Sequence, residues 1–279
     1  MKQIRNSDDA MTSVVVAVLL MGLFVIMLST IQTIYVPQWM SQKEAEHMNE
    51  VADQFADIKY AIDIQSVIEQ DTPISTPITL GSEELPFFRS MRAYGSITIL
   101  SDECNITIKN NTDSFSYLLG TLKYSSINAY FVDQSYIYEA GGVILSQYQG
   151  EIMNVNPSFS VSNNIEVNIS FNIINISGVG GNSHISGYGT YPVQTKFSNS
   201  DTTLINDVKN ITVNTSYPNA WHMFFNSTLI KSGLTYDVNF TIDSSDDGVT
   251  VEFNKDTTLV NLTSKIIEIL TQISSGWIE

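Results

Sequence analysis

The residues able to do chemistry are few and widely spaced. The histidines are His47, His184 and His222. No pair has metal-ligand spacing, and no HExxH is present. Cys104 is the only cysteine, which excludes an internal disulfide and a cysteine-based metal site. The stretch GNSHISG approaches a nucleophile elbow, but Ile185 stands where that pattern needs glycine. The longer run SGVGGNSHISGYGTYP lacks GxGxxG and opens no helix, so it reads as a surface loop with Tyr188 and Tyr191 as contact residues. Asp243, Ser245 and Asp247, followed by Gly248, match the start of a calcium loop, but the twelfth position is Asn254 rather than a bidentate Glu. A hairpin turn explains the same residues, which leaves Asp243 and Asp247 as weak metal candidates only. These residues predict neither catalysis nor a cofactor.

The elements that must position such residues divide the chain in two. Net charge is −16 and charged residues make up only 15%, below the usual quarter. No segment is basic, which argues against a nucleic-acid partner. From Ala10 to Gln42 there is no charged residue, and Val14 to Leu28 is nearly all apolar. About 20 apolar residues span a bilayer as a helix, so residues 11–36 read as a transmembrane or assembly helix. A discarded secretory signal has a shorter apolar core and a small-x-small site after it; neither is found. Tyr35 and Trp39 lie where interfacial aromatics belong. Lys2 and Arg5 precede the segment, which places the N-terminus in the cytoplasm and the rest outside.

Residues 37–70 read as a helical stalk, entered through a kink at Pro37. Met48, Val51, Phe55, Ile58 and Ile62 recur at steps of three and four, forming an a/d seam. That seam packs either on its own domain or on neighbouring subunits. The Pro-containing stretch DTPISTPITLGSEELPFF ends the helix near residue 71.

Residues 71–279 alternate apolar and polar with period two. Ile97, Ile99, Cys104, Ile106 and Ile108 do so, as do Phe159, Val161, Ile165, Val167, Ile169, Phe171 and Ile173. Tyr236 to Ile242 and Val249 to Phe253 repeat the pattern. This predicts an α+β, mostly β chain: a long N-terminal helix, then an antiparallel β-sandwich-like extracellular domain. One short helix is expected near 218–232, with Pro218 in its first turn, Gly233 as its C-cap and Trp221, Phe224, Phe225 and Leu229 on one face. The phase flip at Ile173–Ile174 predicts a bulge. Nine Asn-x-Ser/Thr sequons occur, at Asn105, Asn110, Asn168, Asn175, Asn210, Asn214, Asn226, Asn239 and Asn261. All nine fall on the side expected to be external, so N-glycosylation is expected there.

Asp9-Ala10-Met11-Thr12, followed by Val14-Val15-Val16-Ala17-Val18-Leu19, resembles the processing junction of archaeal type IV pilin-like precursors with class III signal peptides. The segments LGSEELPFFRSMRAYGSI and TSYPNAWHMFF are similar to stretches of larger archaeal pilin-like surface proteins. The resemblance implies that residues 1–10 are a leader cut by a prepilin peptidase between Ala10 and Met11. The apolar helix then stays on the mature chain, holds it in the membrane and packs with other pilin-like subunits. It also implies a structural role, as a subunit or minor component of a pilus-like filament or an adhesin with a surface or glycan ligand. Bacterial pilins carry Glu at the fifth mature position; here it is Val15. A single-pass anchored binding or envelope protein that never polymerises is the alternative.

Overall fold

The computed structural model describes residues 4–85, 91–164, 166–180 and 183–274, with side chains from residue 11 onward. Ile165 and the Pro86–Ser90 stretch lie outside the described residues, as does the side chain of Ala10.

One continuous helical rod opens the chain: α1 (Ile4–Thr30), a π turn (Ile31–Tyr35) and α2 (Val36–Ile68). Pro37 has no N–H and its ring crowds the carbonyl one turn back. The π turn, closed by the Val36 N–H on the Ile31 carbonyl, lets the helix pass that residue without ending. The helix stops at Glu69, which takes a left-handed φ of 53°.

The β region follows in chain order: β1 (Ile74–Thr79), β2 (Tyr94–Lys109), β3 (Ser114–Ile127), β4 (Gln134–Glu139), β5 (Gly142–Gln147), β6 (Gly150–Val155), β7 (Phe159–Asn163), β8 (Val167–Gly178), β9 (His184–Gly187), β10 (Thr190–Ile205) and β11 (Asn210–Asn214). Helix α3 (Pro218–Lys231) then precedes β12 (Phe240–Ser245), β13 (Gly248–Phe253) and β14 (Val260–Ile273). One sheet has the order β1-β10-β14-β8-β7; the other runs β12-β13-β11-β2-β3-β4-β5-β6, with β9 paired to β2. All pairings are antiparallel except that of β14 with β8. The C-terminal strand thus fills the middle of its sheet, which period-two patterning cannot reveal.

The two sheets come into close backbone contact at Gly120 and Asn175, and two separate cores lie between them. Gly120 N–H donates to Asn175 Oδ1 at 2.9 Å across the interface. A Cβ on Gly120 would lie 2.1 Å from the Ile176 carbonyl oxygen, so only glycine permits the approach. On one side, α3 with Trp221, Phe224, Phe225 and Leu229 fills a core with Ile106, Phe171 and Leu262. On the other, the stalk seam fills a second core with Ile97, Tyr124, Ile176 and Ile269.

This division corrects three expectations. The seam residues Met48, Val51, Phe55, Ile58 and Ile62 are at most 1% exposed and packed within their own domain. They therefore cannot be the face offered to neighbouring subunits, and residues 37–70 are part of the β domain's core rather than a separate stalk. The flip at Ile173–Ile174 is not a bulge, because β8 pairs with β14 in unbroken register through it. Ile173 faces the α3 core and Ile174 the stalk core: this strand is covered on both faces, so both phases are apolar. Finally, the strand expected from Tyr236 begins at Phe240. Residues 235–239 form a turn, with Asn239 Oδ1 accepting the Thr235 N–H at 2.8 Å and Asp237 at a left-handed φ of 59°.

Because Phe55 is fully buried against Tyr124 and Tyr136, Phe55→Ala should cost about 3–5 kcal/mol of unfolding free energy. Denaturant titration of the detergent-dispersed monomer reads it. A cost below about 1 kcal/mol, the size of a surface substitution, would mean that the seam is not core.

Candidate functional site

The candidate site is the apolar helix and the seat that holds it. Residues Val14 to Leu28 carry side chains mostly half or more exposed, from Val16 at 50% to Met21 at 70%. None of the most apolar part of this rod is buried. By length and composition the helix can cross a membrane. The expected cleavage junction, Ala10–Met11, lies within helical backbone, with Met11 64% exposed. Tyr35 and Trp39 stand next to each other at the end of the apolar run, ring centroids 5.9 Å apart.

The seat begins one residue past Tyr35. Val36 and Met40 are 6% and 0% exposed. Glu44, fully buried, accepts three consecutive backbone N–H groups: Ala129 at 3.0 Å, Tyr130 at 2.7 Å and Phe131 at 2.7 Å. Three charge-assisted bonds offset the desolvation of the carboxylate and pin the β3–β4 loop to the helix. One turn on, His47 Nε2 lies 3.3 Å from the Leu80 carbonyl and 3.2 Å from the Tyr124 hydroxyl, which donates to that same carbonyl at 2.9 Å. Both neighbours accept, so Nε2 carries the proton. Burial holds the His47 pKa below its ordinary value. A cavity of about 390 Å³ opens beside it, lined by Lys43, Glu46, Glu50, Thr79 and Glu83 among others. The sequence marks His47 only as one of three unpaired histidines and gives no sign of Glu44, because an acid among other polar helix residues looks like a solvated face.

The other histidines are not brought together with His47. His184 Nδ1 meets Thr98 Oγ1 at 2.7 Å, and His222 Nδ1 meets Ser244 Oγ at 2.7 Å. Among the described residues no group of three His, Cys, Asp or Glu could hold a metal ion. Asp243 pairs with Thr250 in the β12–β13 ladder, and Ser245 pairs with Gly248, leaving Asp246–Asp247 as a two-residue hairpin loop. The glycine is required there by close approach: a Cβ on Gly248 would sit 2.4 Å from the Val213 carbonyl oxygen. The run expected as a surface loop contains strand β9, and Tyr191 lies in β10 packed against the stalk core, while Tyr188, in the turn between them, is 43% exposed beneath the Arg92 guanidinium, 3.9 Å from its ring centroid.

The sequons differ in access. Asn168 and Asn214 are exposed, and the other seven are partly buried. Asn175 is tied up at the sheet contact, Asn239 donates Nδ2 to Thr258 Oγ1 at 2.9 Å, and Asn261 donates Nδ2 to Glu166 Oε2 at 2.8 Å.

A second buried acid lies in the α3 core. Glu139 is 1% exposed, and its Oε1 accepts from Thr215 Oγ1 and Trp221 Nε1, both at 2.7 Å. Burial pushes its pKa up to about 7, against the lowering effect of those donors and the Cys104 thiol. Burial likewise raises the Cys104 thiol well above its usual value, so this cysteine is a poor nucleophile.

These features define a class: an exposed apolar helix, long enough to cross a membrane, continuous with a helix packed into a two-core β domain. A family model described as "Family of unknown function (DUF7289)" matches residues 10–268, and the chain belongs to that family. The match takes in the apolar helix together with the β domain. No curated protein and no solved structure matches the chain.

Glu139 gives a pH signature. Its folded pKa of about 7 lies above the ordinary 4.5, so folding favours the protonated form. Its contribution is full below pH 4.5, falls as pH rises and levels off above pH 7. The total change is about 3 kcal/mol. Glu139→Gln keeps an acceptor for Thr215 and Trp221 but cannot ionise. Its stability relative to the wild type should therefore rise by about that amount between pH 4.5 and 8, as read by denaturant midpoints. A pH-independent difference would refute the assignment.

Proposed function

We propose that this chain is a pilin-like cell-surface structural protein, a subunit or minor component of a type IV pilus-like filament or adhesin. A prepilin peptidase cuts between Ala10 and Met11, the apolar helix is retained, and the β domain faces outward. The observation carrying this reading is the contrast along one unbroken helix. Residues of α1 from Val14 to Leu28 stand mostly half or more exposed, whereas the seam from Met48 to Ile62 is closed on its own domain. Burying an exposed apolar side chain stabilises by about 1.5–3 kcal/mol, so α1 demands an apolar environment that the chain itself does not provide. A bilayer satisfies that demand before assembly, and helices of other copies satisfy it afterwards. Cutting before Met11 removes Lys2, Arg5, Asp8 and Asp9, which leaves the helix end uncharged for bundling. The family match from residue 10 supports a helix that belongs to the functional unit.

The alternative, a membrane-anchored envelope or binding protein that stays single, is favoured by the closed seam, which leaves α1 alone for assembly contacts. Both readings need the same anchor and differ at its end. Mass spectrometry of protein purified from its native membrane should find Met11 as the first residue; a chain beginning at Met1 would leave the plain anchor. Replacing Ala10 with a bulky residue should abolish filaments, and unchanged surface filaments would exclude this chain from them.

Glycosylation is part of the same proposal. Intact mass should exceed that of the processed chain, with sugar on Asn168 and Asn214 and none on Asn175, which is partly buried where its Oδ1 accepts the Gly120 N–H between the sheets. A glycopeptide map showing Asn175 occupied, or no sugar at all, would remove it.

A further inference from the structure

The strand pairings collect a set of exposed apolar side chains at one end of the β domain, the end from which the apolar helix leaves. The β3–β4 loop is pinned to Glu44 near the start of α2. Ile127, the last residue of β3, and Val132 in that loop are 65% and 51% exposed. Tyr94 pairs with Ile127 and stands beside Tyr188, ring centroids 5.3 Å apart, with exposed Met91 three residues before it. Gln147 pairs with Gln134 at the start of β4, which brings the next residue, Tyr148, 98% exposed, to the same end. These six residues come from strand ends and loops and form one rim.

The height of that rim is fixed by the helix. The valines of α1 stand half or more exposed, as an uncovered helix leaves them, whereas Val36 is 6% and Met40 0% exposed. Chain from beyond the helix therefore covers α2 down to Val36. That residue is next to Tyr35 and three before Trp39, the aromatics placed for a membrane interface. Glu44 lies five residues past Trp39, about 8 Å along the axis, which puts the loop it pins at the outer edge of a headgroup layer of about 5–7.5 Å per leaflet.

From this, and resting on the membrane-anchor reading, we propose that the rim of Met91, Tyr94, Ile127, Val132, Tyr148 and Tyr188 is a second membrane contact, seated in the lipid headgroup layer of the outer leaflet. The occupant is the bilayer, because the rim is continuous with a helix whose apolar length ends at the same level. Tyrosines suit that depth, with an apolar ring and a polar tip. The contact is apolar rather than electrostatic: Lys43 and Arg92 at this end are paired with Glu83 and Glu84, and Asp133 adds another acid. The helix anchors the chain, and the rim fixes the tilt of the β domain on the surface.

The test uses the full chain in phosphatidylcholine vesicles, with one added cysteine labelled by an environment-sensitive NBD probe. Buried Cys104 does not compete for label. Val132→Cys probes the rim. Leu204→Cys, 64% exposed, probes the opposite end, since β10 starts beside Thr79 and passes Glu69 at Ser200. Leu20→Cys probes the anchor. Headgroup spin-labelled lipid should quench the Val132 probe several-fold more than the Leu204 probe and shift its emission to the blue, with little dependence on salt. Acyl-chain spin label should quench Leu20. Quenching at Leu20 but equal, weak quenching at Val132 and Leu204 overturns the rim and leaves the anchor standing. No quenching at Leu20 overturns the anchor and the rim together. A Val132 probe shielded from iodide but not quenched by lipid overturns the bilayer as occupant in favour of a second copy.

Discussion

The burial of one face of α2 in the β domain is the contact on which the rest depends. A 33-residue helix in isolation would be an independent rod, free to turn relative to whatever it carries. Here Met48, Val51, Phe55, Ile58 and Ile62 fill the gap between two sheets, and the same helix runs on without a break into α1. The seam fills that gap together with side chains of both sheets, which meet directly at Gly120 and Asn175.

Polar groups set the register of that contact. Hydrophobic seams tolerate sliding by a turn, since apolar surface is not directional. Glu44 with its three amide donors and His47 with its carbonyl and hydroxyl partners do not, because each slip would strand a buried polar group. Glu139 plays a different part in the other core, holding Trp221 of α3 against β4 in a site where its own charge is costly. The two cores thus use a carboxylate in opposite ways: one satisfied by three backbone donors, one pushed toward its neutral form.

The arrangement also explains how a chain with an uncharged, highly apolar segment can carry a well-packed β domain. The apolar surface of the domain is consumed internally by two helices, α2 and α3. Among the described residues the longest run of exposed apolar side chains lies on α1, and other exposed apolar residues are spread over the domain, as on most proteins.

Length and period were enough to specify much of this. The uncharged run from Ala10 to Gln42 dictates an exposed apolar helix, because any fold must either bury such a run or leave it to another apolar phase. The three-four steps from Met48 to Ile62 dictate a buried helical face, and period-two runs dictate strands; Pro218 and Gly233 bound α3 as their backbone preferences require. Tertiary structure alone decided the partners. Periodicity says that a face is buried, not against what, so the seam's docking on its own sheets could not be read. Nor could the covering of β8 on both faces, which mimics a bulge in sequence, or the insertion of β14 between β8 and β10, since strand order leaves no mark on alternation. Glu44, His47 and Glu139 were illegible for the same reason: a polar side chain reveals its role only through donors and acceptors far away in the chain, and those are fixed by the fold rather than by their neighbours in sequence.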